Sequence, residues 1–80
     1  MAKSLLTLDA LRPGQKAVVQ SLRSAGGMRR RLRDIGLIEQ TPVECLGVSP
    51  GGDPAAYLIR GAVIALRASD SREIQVRLLQ

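Results

Sequence analysis

The side chains able to do chemistry in these 80 residues are mostly cations, and they crowd into one stretch. Arg29, Arg30, Arg31 and Arg33 lie within Ala25-Gly26-Gly27-Met28-Arg29-Arg30-Arg31-Leu32-Arg33-Asp34-Ile35-Gly36-Leu37. Guanidinium groups stay protonated and recognise carboxylates and phosphates, so this is chemistry for binding. Only Arg30 has an acid four residues on, Asp34, and an arginine on the N-terminal side is the weaker order for such a pair. Other chemistry lacks parts. With no histidine, the commonest general base and the commonest metal ligand are both missing. Cys45 falls on the core side of an alternating run with no base near it in sequence, which reads as a small buried apolar group. A lone cysteine also excludes an intramolecular disulfide and fits a reducing compartment. Asp34, Glu39 and Glu44 read as solvated surface groups, and Asp53 and Asp70 as turn formers. No carboxylates pair at a spacing suited to acid–base work, and the ligands for a soft metal site are absent. In Gly51-Gly52-Asp53-Pro54 an acid stands where a phosphate loop needs lysine and a hydroxyl. The reading is a non-enzymatic protein with no catalytic residue, no cofactor and no metal set.

The element that must position the arginines is a helix. Ala25, Met28, Leu32 and Ile35 recur at helical spacing, which predicts a helix over about 25–35 with one apolar side. Gly36 then stands where a left-handed residue stops a helix, and Leu37 can fold back over the last turn. The cationic sides are open to two readings, a solvated face or a surface that meets an anionic partner.

Around this helix the chain reads as β structure. Residues 15–22, 41–48, 55–59, 62–67 and 74–78 are strand-like runs bounded by turn signals. Pro13-Gly14 suits a type II turn, and Arg60-Gly61 makes a two-residue hairpin connection. Thr7 to Arg12 and Asp70 to Glu73 each suggest a one-turn helix, the first capped by Thr7. In the second strand Val43 and Cys45 share one face, Glu44 and Leu46 the other. About five short strands and an inserted helix predict a mainly β fold, a small antiparallel barrel, in one domain over 1–80.

Composition narrows the partner. A formal charge of +5 and a pI near 10.7 favour something acidic: nucleic acid, a membrane surface or an acidic protein patch. Barrels that bind single strands stack bases on aromatic side chains, and here Tyr57 is the one aromatic. Sequence-indifferent phosphate contact is therefore the alternative reading rather than the first. No run of about 20 apolar residues spans a bilayer, and the N-terminal apolar run is too short for a signal peptide. A cytoplasmic protein is expected.

One further pattern runs the length of the chain. Leu8, Leu11-Arg12-Pro13-Gly14, Ala17, Val19, Arg30-Arg31-Leu32-Arg33-Asp34-Ile35-Gly36-Leu37, Val43, Pro50, Gly52-Asp53-Pro54, Gly61, Ile64-Ala65-Leu66-Arg67, Ile74 and Val76 together resemble the FeoA family. Gln40 departs from it, standing where the family usually has glycine, so a different turn is expected there. The resemblance implies an SH3-like barrel with an inserted helix. It also implies an accessory role in bacterial ferrous iron uptake, docked on the cytosolic GTP-binding part of a FeoB-type Fe(II) transporter. The family is associated with transition metal, but it supplies neither a catalytic residue nor a ligand set here. On that basis Arg29, Arg30 and Arg33 are expected to meet an acidic surface. Leu37 and Ile38 are candidates for the desolvated contact beside them, with the helix cap as the other reading of Leu37. Self-association through exposed strand edges is a third reading.

Overall fold

The computed structural model describes residues 5–79. In chain order it comprises β1 (Leu5–Thr7), a 3-10 turn (Leu8–Ala10), β2 (Lys16–Leu22), α1 (Gly26–Asp34) and β3 (Pro42–Val48). These are followed by β4 (Ala55–Ile59), β5 (Ala62–Leu66), α2 (Ala68–Ser71) and β6 (Ile74–Leu78). The six strands make one sheet in the order β1-β6-β2-β3-β4-β5, every neighbour antiparallel. The fold is mainly β, as expected.

Alternation along the strands decides the core. Ala17 and Val19, Val43 and Cys45, Tyr57 and Ile59, and Ile74 and Val76 all turn inward and are buried. They join Leu8, Leu11, Leu32, Leu37 and Leu66 in a single cluster. No ladder joins β1 to β5, so the sheet is not closed by backbone pairing. It nevertheless curls over the core, because the Tyr57 hydroxyl on β4 donates to the Leu8 carbonyl beside β1 at 3.3 Å. Two bulges help it bend, one between Val19 and Ser21 and one between Cys45 and Gly47.

The turns follow their residue chemistry. The Arg12 carbonyl accepts from the Gln15 N–H at 2.9 Å and Gly14 has φ 89°, as a type II turn over Pro13-Gly14 requires. Arg60 (φ 52°) and Gly61 (φ 83°) both take positive φ, the type I′ pattern that matches strand twist. Gln40 also sits at positive φ, 75°. It therefore adopts the left-handed conformation a glycine favours.

Other expectations need correcting. β1 is a sixth strand, three residues long. The turn at 7–12 shrinks to Leu8–Ala10, and Thr7 makes no cap bond to the backbone; its hydroxyl donates to the Asp9 carboxylate instead. The turn placed at 70–73 lies at 68–71, because the Ala68 N–H finds a remote acceptor, the Asp53 carboxylate, at 2.9 Å. Asp53 is thus more than a turn former: it ties the 49–54 loop to the start of α2. The Asp53–Pro54 peptide is cis.

α1 buries Leu32 and packs Met28 and Ile35 partly against the core, while Ala25 is exposed and stands outside the apolar side. Its end is a Schellman motif: the Leu37 N–H donates to the Leu32 carbonyl and the Gly36 N–H to the Arg33 carbonyl, both at 3.0 Å. Gly36 has φ 103°, and a Cβ there would lie 2.7 Å from Arg60 Cδ. Two penalties therefore meet at one position. Gly36→Ala is expected to lower unfolding free energy by about 1–2 kcal/mol from the backbone alone, and by more through the Arg60 contact. Urea unfolding of Gly36→Ala, with and without Arg60→Ala, measures both parts: the second substitution should relieve only the steric share.

Candidate functional site

The candidate surface is built on α1 and the segment after it. Four arginines in a nine-residue helix do different jobs. Arg29 is half-buried, and its Nη1 donates to the Leu22 carbonyl at the end of β2 at 3.1 Å. Arg30, Arg31 and Arg33 are exposed. Arg31 and Arg33 lie in the last turn, where cations favour the negative end of the helix dipole.

Two shallow depressions flank Arg29 and Arg33. One, of about 310 Å³, is lined by Leu22, Arg29, Arg33, Ile38 and Glu39. The other, of about 340 Å³, is lined by Gly26, Arg29, Arg30, Arg33 and Asp34. Arg29, Arg30, Arg33 and Ile38 are thus brought to one surface, with Ile38 36% exposed beside the cations. Leu37 is not part of it. Its side chain is fully buried under the Schellman turn and offers nothing to a partner, so the cap reading of Leu37 holds. Sequence reasoning missed Leu22 and Glu39, which reach this surface from outside the helix; no local pattern announces either. The surface can bind carboxylates or phosphates beside a small apolar contact, and Glu39 and Asp34 give it a mixed rim.

The remaining groups with reactive potential are inside. Cys45 and Tyr57 lie directly opposite each other on β3 and β4, and both are buried. Burial pushes the Cys45 thiol up from its ordinary 9.0, against a weak opposing bond to the Gly47 carbonyl. Burial likewise pushes the Tyr57 hydroxyl up from 10.0. A thiol held protonated and out of reach is a poor nucleophile. Among the described residues no three His, Cys, Asp or Glu side chains gather as a metal site requires. None of the described helices is long and apolar enough to cross a membrane.

A curled antiparallel sheet over one apolar core, with a helix inserted between its second and third strands, defines a small SH3-like β domain. Residues 6–78 match the FeoA domain, and the chain belongs to that family. It resembles the solution structure of the FeoA protein from Chlorobium tepidum with a TM-score of 0.88 at 31% identity, covering 94% of this chain and 71% of that one. Stenotrophomonas maltophilia FeoA, solved in complex with zinc, matches with a TM-score of 0.80 at 29% identity, over 89% of this chain and 88% of its own. A Porphyromonas gingivalis protein, an Fe(2+) transport protein A/Fe(2+) transporter FeoB fusion, is 27% identical over 74 residues. That match takes in 92% of this chain but spans only 9% of the fusion protein's length.

The buried pair makes stability depend on alkaline pH. Above about pH 9 the unfolded chain loses protons that folded Cys45 and then Tyr57 retain, so the folded state binds more protons and stability falls as pH rises. Each group contributes a loss of at most about 1.4 kcal/mol per pH unit. Melting temperatures between about pH 8 and about pH 10.5 are expected to drop for the wild type and to drop less steeply for Cys45→Ala and Tyr57→Phe.

Proposed function

We propose that this domain is a non-enzymatic accessory module of ferrous iron uptake. It docks from the cytoplasm on the cytosolic, GTP-binding part of a FeoB-type Fe(II) transporter and supports its transport or GTPase cycle. The observation that carries this reading is the P. gingivalis fusion, in which a matching segment and a FeoB transporter share one polypeptide. Fusion holds two modules at high effective concentration, and a separate chain must supply that proximity by affinity.

The α1 surface supports the location. Arg30 and Arg33 are exposed cations with no structural bond, suited to orient a partner's carboxylates, and Ile38 supplies apolar contact next to them. Arg29 serves the same surface from below by fixing the start of the helix to β2. The competing nucleic-acid reading loses ground because Tyr57 is 1% exposed, leaving no ring on which a base could stack.

The test is an NMR titration of labelled protein with the cytosolic part of its cognate transporter, with a random duplex as control. Shifts are expected to cluster on Arg29 to Ile38 with the transporter and to be absent with the duplex. Arg30→Glu should weaken docking by up to about tenfold while leaving the melting temperature within a few degrees. A folded Arg30→Glu variant that binds as tightly as the wild type removes α1 as the docking face. Shifts with the duplex alone replace the transporter with nucleic acid.

A further inference from the structure

The sheet has two ends, and they are not alike. β1, at one end, is three residues long. β5, at the other, is the five-residue run Ala62-Val63-Ile64-Ala65-Leu66, which carries no charge and no proline and pairs with β4 without a bulge. Natural edge strands are commonly blunted by one of those devices, because unpaired backbone groups template the addition of another strand. β5 uses none of them.

The hairpin turn sets which backbone groups are free. Two turn residues, Arg60-Gly61, make Ile59 and Ala62 the first hydrogen-bonded pair, so Tyr57–Ile64 and Ala55–Leu66 follow in phase. Ala62, Ile64 and Leu66 therefore spend their N–H and C=O groups on β4. Val63 and Ala65 turn theirs outward, one on each side of Ile64. On the outer sheet face the register runs Glu44–Leu58–Val63 in one row and Gly47–Ala56–Ala65 in the next. Beside the edge that face is apolar, and Val63 is 67% exposed.

We propose that β5 pairs antiparallel with β5 of a second copy of this chain, about a two-fold axis through Ile64. In that register Val63 of one copy bonds Ala65 of the other, and both outward-turned residues are satisfied symmetrically. Val63 of each copy then lies beside the smaller Ala65 of the other, and the two Ile64 residues meet at the axis. The charges are compatible with it: Arg67 faces Gly61 of the second copy, and the Arg60 stem is drawn away across Gly36. No like charges stand opposite one another along the strand. What opposes the pairing is the overall charge of +5 on each copy, a long-range term that salt screens. A five-residue seam is smaller than the ~800 Å² per partner of a standard interface, so the dissociation constant is expected at roughly 0.1–1 mM. None of the residues lining the two α1 depressions lies on β5, so a dimer presents two free docking faces. This surface is separate from the proposed transporter contact and stands without it.

The experiment combines sedimentation velocity from about 20 µM to about 1 mM protein with amide exchange by NMR over the same range. The mass average is expected to rise toward the dimer with concentration, and to rise further with added salt. Val63 and Ala65 amides should gain protection with concentration while the Ile64 and Leu66 amides, already bonded to β4, do not change. Val63→Lys sets two charges beside the seam at an exposed position and should weaken association at least tenfold. Val63→Pro removes only an outward-facing donor and should act in the same direction. A chain that stays monomeric throughout overturns the proposal, as does a dimer that survives Val63→Lys. Protection of Val63 and Ala65 that appears only when the transporter's cytosolic part is added also overturns it, by assigning the edge to a foreign strand.

Discussion

One contact holds the architecture together: the Tyr57 side chain standing in the middle of a core otherwise made of aliphatic groups. Tyr57 lies on β4 opposite Cys45 on β3 and Ile64 on β5, and its hydroxyl reaches the Leu8 carbonyl near the far end of the strand order. A chain of this length hides only somewhat over ~60% of its unfolded surface, so a flat six-stranded sheet would leave its apolar face wet. Curling is what makes the core possible. The tyrosine supplies both the bulk that fills the curl and the hydrogen bond that spans it, and its polar tip is not left unpaired. The same curl brings Asp53, Leu66, Ala68 and Ser71 around the Leu8–Ala10 turn, where Asp9 and Leu11 complete a small cluster.

The helix is attached to this body by a few specific points rather than by a broad face. Leu32 enters the core, Leu37 follows it under the Schellman turn, Arg29 bonds the end of β2, and the Arg60 stem lies over Gly36. Two of these points lie within α1, at Arg29 and Leu32, and two just past its C-terminal end. Its middle is therefore held in place while the outward side chains are left without structural duties. Exposed charges of that kind contribute little to stability, so their identity is free to answer to a partner.

Much of the fold was legible in the sequence because its signals are local. Pro13-Gly14 and Arg60-Gly61 specify turn types by backbone preference, Gly36 specifies a helix stop, and Val43, Cys45, Ile74 and Val76 alternate at the strand period. What escaped was either too short or too remote. Leu5–Thr7 has no room to alternate and becomes a strand because β6 offers it an edge. α2 starts at Ala68 because Asp53, 15 residues earlier, accepts its N–H. Gln40 keeps a left-handed backbone that its own preferences do not favour, since its N–H donates to the Val19 carbonyl and the neighbouring Thr41 carbonyl accepts from the Val19 N–H. Those two bonds to β2 fix the segment from outside.

The candidate site was legible by region and not by residue, and the arginines show why. Arg29, Arg30, Arg33 and Arg60 are the same side chain in three circumstances: Arg29 bonds the part-buried Leu22 carbonyl, the Arg60 stem lies over Gly36, and Arg30 and Arg33 face solvent. Sequence spacing cannot separate them, because the distinction depends on where Leu22 and Gly36 lie in three dimensions. The run Arg30-Arg31-Leu32-Arg33-Asp34-Ile35-Gly36-Leu37 mixes both kinds of residue. Leu32, Gly36 and Leu37 are accounted for by the core and the helix stop. Among the described residues the Arg30 and Arg33 side chains make no hydrogen bond and stand exposed, and only Arg33 gains from the helix dipole. Residues that a fold does not need are free to vary with other demands, and here they are cations on one exposed helix.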